Sequence, residues 1–291
     1  MFPIPHLIDC SMNDRKRKQI TGVRFEFGKN WQRFLSVLDE DRILEAEKSL
    51  RQMLEMENLN GKSFLDIGSG SGLFSLAARR LGASVHSFDF DPLSVACTQE
   101  LKRRYFPDDA DWTVDQGDVL NDGYLNSLGQ FDVVYSWGVL HHTGRMWQAL
   151  ENVVPLVGNS GNLFISIYND QGNASRRWLA LKRFYNQSSK PVKLMLVLGV
   201  GVMSQTYATL VRVYQGRTLL PFGAWADKKK NRGMSVWCDL VDWVGGYPFE
   251  VAKPEEIFEF YKKRGFTLSK LKTRGGGSGC NEYVFIKGLA T

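Results

Sequence analysis

"FLDIGSGSGLFSL", residues 64–76, is an apolar run that ends in an aspartate, passes three glycines at alternate positions and enters a second apolar run. The first half, with Phe64, Leu65 and Ile67, has the composition of a buried strand, and the second, from Leu73, that of a helix. Gly68, Gly70 and Gly72 between them present bare backbone that a ligand can approach without meeting a Cβ. In an open α/β sheet the crevice at the carboxyl end of the first strand is where ligands lie. The spacing is G-x-G-x-G; a dinucleotide fingerprint would need glycine where this chain has Leu73.

Outward from this loop, strands and helices alternate. "SVHSFDFD" (84–91) reads as a second strand and "PLSVACTQELKRRYF" (92–106) as a helix opened by proline, where the missing N–H costs nothing. "WTVDQGD" (112–118) is a short third strand, "FDVVYSWG" (131–138) a fourth, "MWQALENVVPLV" (146–157) a helix and "GNLFISIYN" (161–169) a fifth strand. The alternation resumes at "PEEIFEFYKKRG" (254–265), followed by "FTLSKLKT" and "EYVFIKG", two strands close enough to pair antiparallel across "RGGGSGCN". This pattern predicts an α/β fold with a doubly wound, mostly parallel seven-stranded sheet, an antiparallel last strand and a helical insertion after strand 5.

Four regions are expected: a basic N-terminal segment and lid helix at 1–60, a core at 61–170, a basic helical insert or substrate lid at 171–253, and core completion at 254–291. The insert is too long for a structureless loop. Residues 31–58 have helical periodicity without Gly or Pro before the "NLNGK" break. In the insert, "VKLMLVLGVGVM" (192–203) is apolar over about a dozen positions, short of the roughly 20 a bilayer span needs; it suggests a lid helix, a buried hairpin or an interfacial segment.

Charge is uneven. Net charge is +6 over 291 residues, but 171–232 holds twelve Lys/Arg against Asp227 alone, about +11, and the rest is about −5. That asymmetry points to an anionic partner: a phosphorylated, nucleotide-linked or lipid-linked molecule, a membrane surface or nucleic acid. The four cysteines are scattered and read as reduced, no metal is expected, and the N-terminus lacks the order of a secretory signal, so a cytoplasmic location is expected.

Asp89, 21 residues beyond Gly68 at the end of the second strand, is placed to accept from ribose hydroxyls, with Phe90 beside it to pack on a base. At this point the chain resembles a known family. "FLDIGSGSG", "SFDFDP", "DQGDVL" and "FDVVYSWGVLHH" follow the order and spacing of class I S-adenosylmethionine (SAM)-dependent methyltransferases over about residues 62–170. The resemblance implies a Rossmann-like methyltransferase fold and SAM as cofactor, with S-adenosylhomocysteine as product. It implies that Asp66 and the loop Gly68–Ser69–Gly70–Gly72 contact the amino-acid part, Asp89 the ribose, Asp118 and Val119 the adenine, and Trp137 and Gly138 the methionine side. The acid before the loop agrees: Asp66 would repel a pyrophosphate and suits an α-ammonium.

Methyl transfer requires an aligned nucleophile, exclusion of water and, for a hydroxyl, a base. His141 and His142 follow strand 4, and Tyr168, Asn169 and Asp170 follow strand 5. His141 is the expected base, with His142 or Asp170 orienting it or binding substrate. Phe27, Asn30 and Trp31 are expected to close over the cleft. Arg232, Asp239, Trp243 and Tyr247, in a stretch read as irregular, and Asn281 are expected to face the acceptor. The activity expected is O-methylation of a small-molecule, sugar or lipid- or nucleotide-linked acceptor. RNA modification and a non-catalytic SAM-binding partner protein are the alternatives; oligomeric state is not legible.

Overall fold

The computed structural model of the chain describes residues 24–214, 236–275, 277 and 279–289. Helices α1 (Phe27–Leu35) and α2 (Glu40–Leu54) precede β1 (Ser63–Ile67), α3 (Leu73–Arg80), β2 (Ser84–Asp89), α4 (Pro92–Tyr105) and β3 (Trp112–Gln116). There follow α5 (Asp122–Asn126), β4 (Phe131–Trp137), a 3₁₀ turn (Leu140–His142), α6 (Met146–Asn152) and β5 (Val157–Tyr168). Helices α7 (Asn173–Gln187), α8 (Lys190–Tyr214) and α9 (Val236–Gly245) come next, and α10 (Pro254–Lys262), β6 (Phe266–Lys272) and β7 (Cys280–Lys287) close the chain.

The strands form a seven-stranded sheet in the order β3-β2-β1-β4-β5-β7-β6. The first five are parallel, as β1 pairs with β2 and β4, and β7 runs antiparallel between β5 and β6. The strand order reverses between β1 and β4, which opens the crevice at their carboxyl ends. Each face of the sheet buries its own core: Phe64, Leu76, Leu101 and Trp112 on one side, with Ile43 and Leu50 of α2, and Leu65, Val134, Leu150, Ile257 and Tyr261 on the other. Pairing on both edges and helices on both faces explain why the strands read as continuous apolar runs.

Local chemistry sets the boundaries. The region 31–58, read as one helical stretch, is two helices. Asp39, extended, accepts from Arg42 N at 3.0 Å and restarts the chain as α2. Asn121 caps α5 in the same way, an element too short to show periodicity. The stretch 236–245, read as irregular, is helical; Val241 and Val244 are buried in a small cluster with Tyr185 and Val197, against which Leu240 and Trp243 pack, while Trp237 is exposed. The apolar run at 192–203 belongs to a helix of 25 residues, because the sequence continues with helix-compatible residues to Tyr214. Helices α7, α8 and α9 stand over the carboxyl ends of β4 and β5 and roof the crevice.

Candidate functional site

A cavity of about 2310 Å³ opens at the carboxyl ends of β1, β2 and β4, between α1 and the helices α7–α9. Its floor is the glycine loop. Gly68 N and Ser69 N donate to Phe88 O at 2.8 and 3.1 Å, and Gly70 N donates to Asp89 Oδ2 at 3.0 Å, so the loop is strapped to the end of β2. Gly70 has φ +58°, and a Cβ there would lie 2.9 Å from Trp31 Nε1: glycine lets α1 fold its indole down onto the loop. Gly72, at φ +81°, would place a Cβ 2.8 Å from Thr98 Cα; its role is the close approach of α4, and it stands outside the cavity wall.

Asp66 and Asp89 both face the cavity. Burial raises the Asp66 carboxyl to about 7, against the bond from Ser75 and with help from the nearby Asp89 charge. Burial likewise raises Asp89 to about 6, opposed by the N–H groups of Asp91 and Gly70. Asp66 is oriented by a chain of donors. Trp112 Nε1, which can only donate, gives its proton to Ser87 Oγ (3.0 Å); Ser87 donates to Ser75 Oγ (2.7 Å), and Ser75 to Asp66 Oδ2 (2.5 Å). Two desolvated carboxylates aimed into one cavity are suited to a ligand that brings an ammonium and a diol. Gly138, at φ +75° at the end of β4, has open space where a Cβ would be, which leaves room beside the loop.

Asp66, Gly68, Ser69, Gly70, Asp89, Phe90 and Trp137 line the cavity, as do Phe27, Asn30, Trp31, Tyr168, Asp239 and Trp243. Several expected residues do not. Asp118 spends a carboxylate oxygen on Leu120 N (2.9 Å) in the turn before α5, and Val119 is in the core beneath. Gln116 lines the wall instead. Asp170 accepts from Gly172 N in the turn that starts α7. Asn169 and Asn281 bond each other at 3.1 Å, joining β5 to β7 beneath the roof. Tyr247 stands outside the wall, and its backbone carbonyl accepts from Phe25 N. Arg232 lies outside the described residues. Asn30 lines the cavity but its amide is engaged, donating to Asp242 Oδ1 (2.8 Å) and Cys238 O (3.0 Å), which ties α1 to α9.

The two histidines, adjacent in sequence, are placed differently. His141 has no exposed surface; its ring packs 4.1 Å from Tyr168 and 4.5 Å from His142, and it does not line the cavity. Burial holds its pKa well below the ordinary value. His142 does line the cavity. Its Nδ1 lies 2.5 Å from Pro248 O, and because a carbonyl can only accept, Nδ1 carries the proton and Nε2 is the acceptor. Burial, then the Lys182 charge, lower His142 to about 3, so the imidazole is neutral at physiological pH.

Lys182 was not singled out in the sequence, where it looks like one more base on a cationic segment. It is fully buried, donates to Trp243 O, and its Nζ lies 4.8 Å from the Phe249 ring, 5.3 Å from Trp243 and 5.7 Å from Tyr168. Burial lowers its pKa to about 7, opposed by Asp242. Arg24 was also missed. Its guanidinium stacks 4.7 Å above Phe90 and is attracted by Asp89, Asp118 and Asp91. Its signal, a cation ahead of "FEF", becomes readable only when the start of α1 is seen to pack on the start of α4, beside Phe90.

Comparison with known proteins agrees with this architecture. A family model described as "Methyltransferase domain" matches residues 65–163. The chain is 31% identical over 123 residues to the ubiquinone biosynthesis O-methyltransferase of Escherichia coli, covering 42% of this chain and 48% of that one. It is 44% identical over 84 residues to the ribosomal protein L11 methyltransferase of Prochlorococcus marinus, covering 28% and 24%. The matched region thus spans less than half the length of these curated relatives. An O-methyltransferase family protein from Burkholderia thailandensis has the same fold, with a TM-score of 0.51 at 10% identity over 86% of this chain and 58% of that one. Residues 65–163 thus match a methyltransferase domain, and over that region the chain is similar to SAM-dependent methyltransferases. SAM is the cofactor of that class, and Asp66, the glycine loop and Asp89 are the groups here that fit it.

Proposed function

We propose that the protein transfers a methyl group from SAM to a hydroxyl of a small-molecule acceptor, with His142 as the general base. The observation that carries the base assignment is the Pro248 carbonyl on His142 Nδ1, which leaves Nε2 as an acceptor on the cavity wall. Bound SAM would supply a methyl group activated by a sulfonium, whose positive charge is discharged when the methyl leaves. Asp66 and Asp89 hold the two polar ends of that cofactor, and Trp31 over Gly70 keeps water from the loop. His142 Nε2 accepts the hydroxyl hydrogen bond, aligns the oxygen for in-line attack, and takes the proton as the C–O bond forms. A neutral imidazole suits a site that must hold a cation before transfer, because it adds no like charge.

Tyr168, Trp178 and Trp243 give the acceptor side a wall of aromatic rings, 5.1–5.5 Å apart. This supports an acceptor with an apolar body and a single reactive hydroxyl, of a small-molecule, sugar or lipid-linked kind. Single-turnover methylation with labelled SAM tests the reading on a panel of phenols, sugars and long-chain alcohols. His142→Ala is expected to retain SAM binding and to lose roughly 100-fold or more in the transfer rate. His141→Ala is expected to lower thermal stability more than it slows transfer. Full activity of His142→Ala on an acceptor that the wild type methylates would remove the base.

A further inference from the structure

Helix α8 spans 25 residues, and over Lys190–Val211 it is long and apolar enough to cross a membrane by length and composition. Its packing argues against crossing. Val197 and Val200 join Tyr185 of α7 and Leu240, Val241 and Val244 of α9 in one cluster, so a helix that left to span a bilayer would open part of the core. Among the described residues nothing covers the opposite side: Met195 is 70% exposed, Val202 67% and Leu210 63%, with Leu198 between them. Polar hydroxyls on that side are turned inward. Thr206 Oγ1 donates to Val202 O (2.9 Å) and Thr209 Oγ1 to Gln205 O (2.8 Å), which satisfies them without water.

Charge selects the occupant. Lys190–Tyr214 contains no Asp or Glu, Lys190 and Lys193 at its start line the cavity side, and the segment 171–232 carries about +11 by sequence. A face of aliphatic and thioether groups on a segment of strong net positive charge complements an anionic lipid surface, where apolar burial and attraction to headgroups act together. A second copy would bring the same positive charge against it, and RNA offers nothing to cover Met195, Leu198 and Val202.

We propose that the outer face of α8 docks in the headgroup–acyl boundary of an anionic lipid bilayer, with the helix lying in the membrane plane. The inner side of the same helix lines the cavity, through Leu194, Val197 and Tyr207. Docking therefore sets the mouth of the cleft at the bilayer, and an amphiphile presents its hydroxyl to His142 while its tail stays in lipid; this last consequence rests on the methyl-transfer reading, the docking does not.

Co-sedimentation of the full chain with vesicles tests it without turnover, so failure here leaves the methyl-transfer reading untouched. Mixed phosphatidylglycerol–phosphatidylcholine vesicles are expected to bind at least about tenfold more tightly than phosphatidylcholine alone, and binding should weaken with salt. Leu198→Glu with Val202→Glu should reduce binding about tenfold or more while the thermal shift produced by SAM stays at the wild-type value. Val202→Ser, a milder change, should weaken binding in the same direction. The proposal is overturned by no sedimentation with either vesicle or by unchanged binding in both variants. It is equally overturned if light scattering shows a dimer that the Glu variant dissociates, or if RNA is bound and vesicles are not.

Discussion

The wall of the cleft built by β1, β2 and β4 is made of short polar groups on rigid strand ends, whereas the wall built by α7, α8 and α9 is made of aromatic and aliphatic side chains on helices. On the first wall directional bonds run in a fixed order: Trp112 to Ser87 to Ser75 to Asp66, and Gly70 to Asp89. On the second, Tyr168, Trp243 and Phe249 surround one buried cation, Lys182, by contacts that tolerate several arrangements. The difference matches the two tasks. A cofactor is invariant and rewards fixed donors and acceptors; an acceptor is held by shape and apolar area, and its wall can change without disturbing the sheet.

The largest effect that would break this contrast is expected at Asp66. Asp66→Asn removes a desolvated charge aimed at the cofactor ammonium, a loss of about 1.5–3 kcal/mol, or roughly ten- to hundredfold in SAM affinity by calorimetry. Affinity unchanged within twofold would mean that the ammonium lies elsewhere.

Next comes a change that reports on the helical wall. The Lys182 pKa, lowered to about 7, means that the folded chain binds fewer protons there than the unfolded chain between about pH 7 and 10.5. The unfavourable burial of this charge is therefore relieved as pH rises through that window, a gain on the order of 2–4 kcal/mol in unfolding free energy. Lys182→Met should abolish that gain relative to wild type in paired thermal melts. Parallel curves for the two proteins would show that Lys182 is solvated.

The cofactor wall has the opposite pH signature. Asp66 at about 7 and Asp89 at about 6 hold protons that the unfolded chain has already released, so their contribution to the stability of the ligand-free chain is lost as pH rises from about 4 to 7. A cationic ligand favours the ionised forms. The thermal shift produced by SAM should therefore grow from pH 5.5 to 7.5 by about one kcal/mol per carboxylate and level off above. A shift that is flat or falls with pH would contradict carboxylate recognition. The smallest effect is expected for Ser75→Ala, about 1 kcal/mol in SAM affinity, because the carboxylate stays while its orientation loosens. Its test is whether Ser75→Ala adds to Asp66→Asn; full additivity would break the relay.

Much of the cofactor wall was legible along the chain. Three glycines after a strand and an acid at the end of the next strand are local features, and βαβ geometry fixes where they meet. Asp118 and Gly72 also make contacts that no spacing announces: a bond to Leu120 N in a turn and a close approach to Thr98. Between His141 and His142, adjacency in sequence gives no preference. The choice is made by Pro248, 106 residues away, whose carbonyl fixes the His142 tautomer.

By itself the sequence determined the sheet and the glycine loop, because these follow from alternating periodicity and from groups that act on their immediate neighbours; the class of cofactor came from the resemblance of its motifs to a known family. Only the tertiary structure decided which histidine reaches the cleft, that Lys182 is enclosed by rings from distant segments, and that α8 turns one side to the core and the other outward. Those are outcomes of burial, and burial depends on what packs opposite a side chain, which periodicity within one segment does not encode.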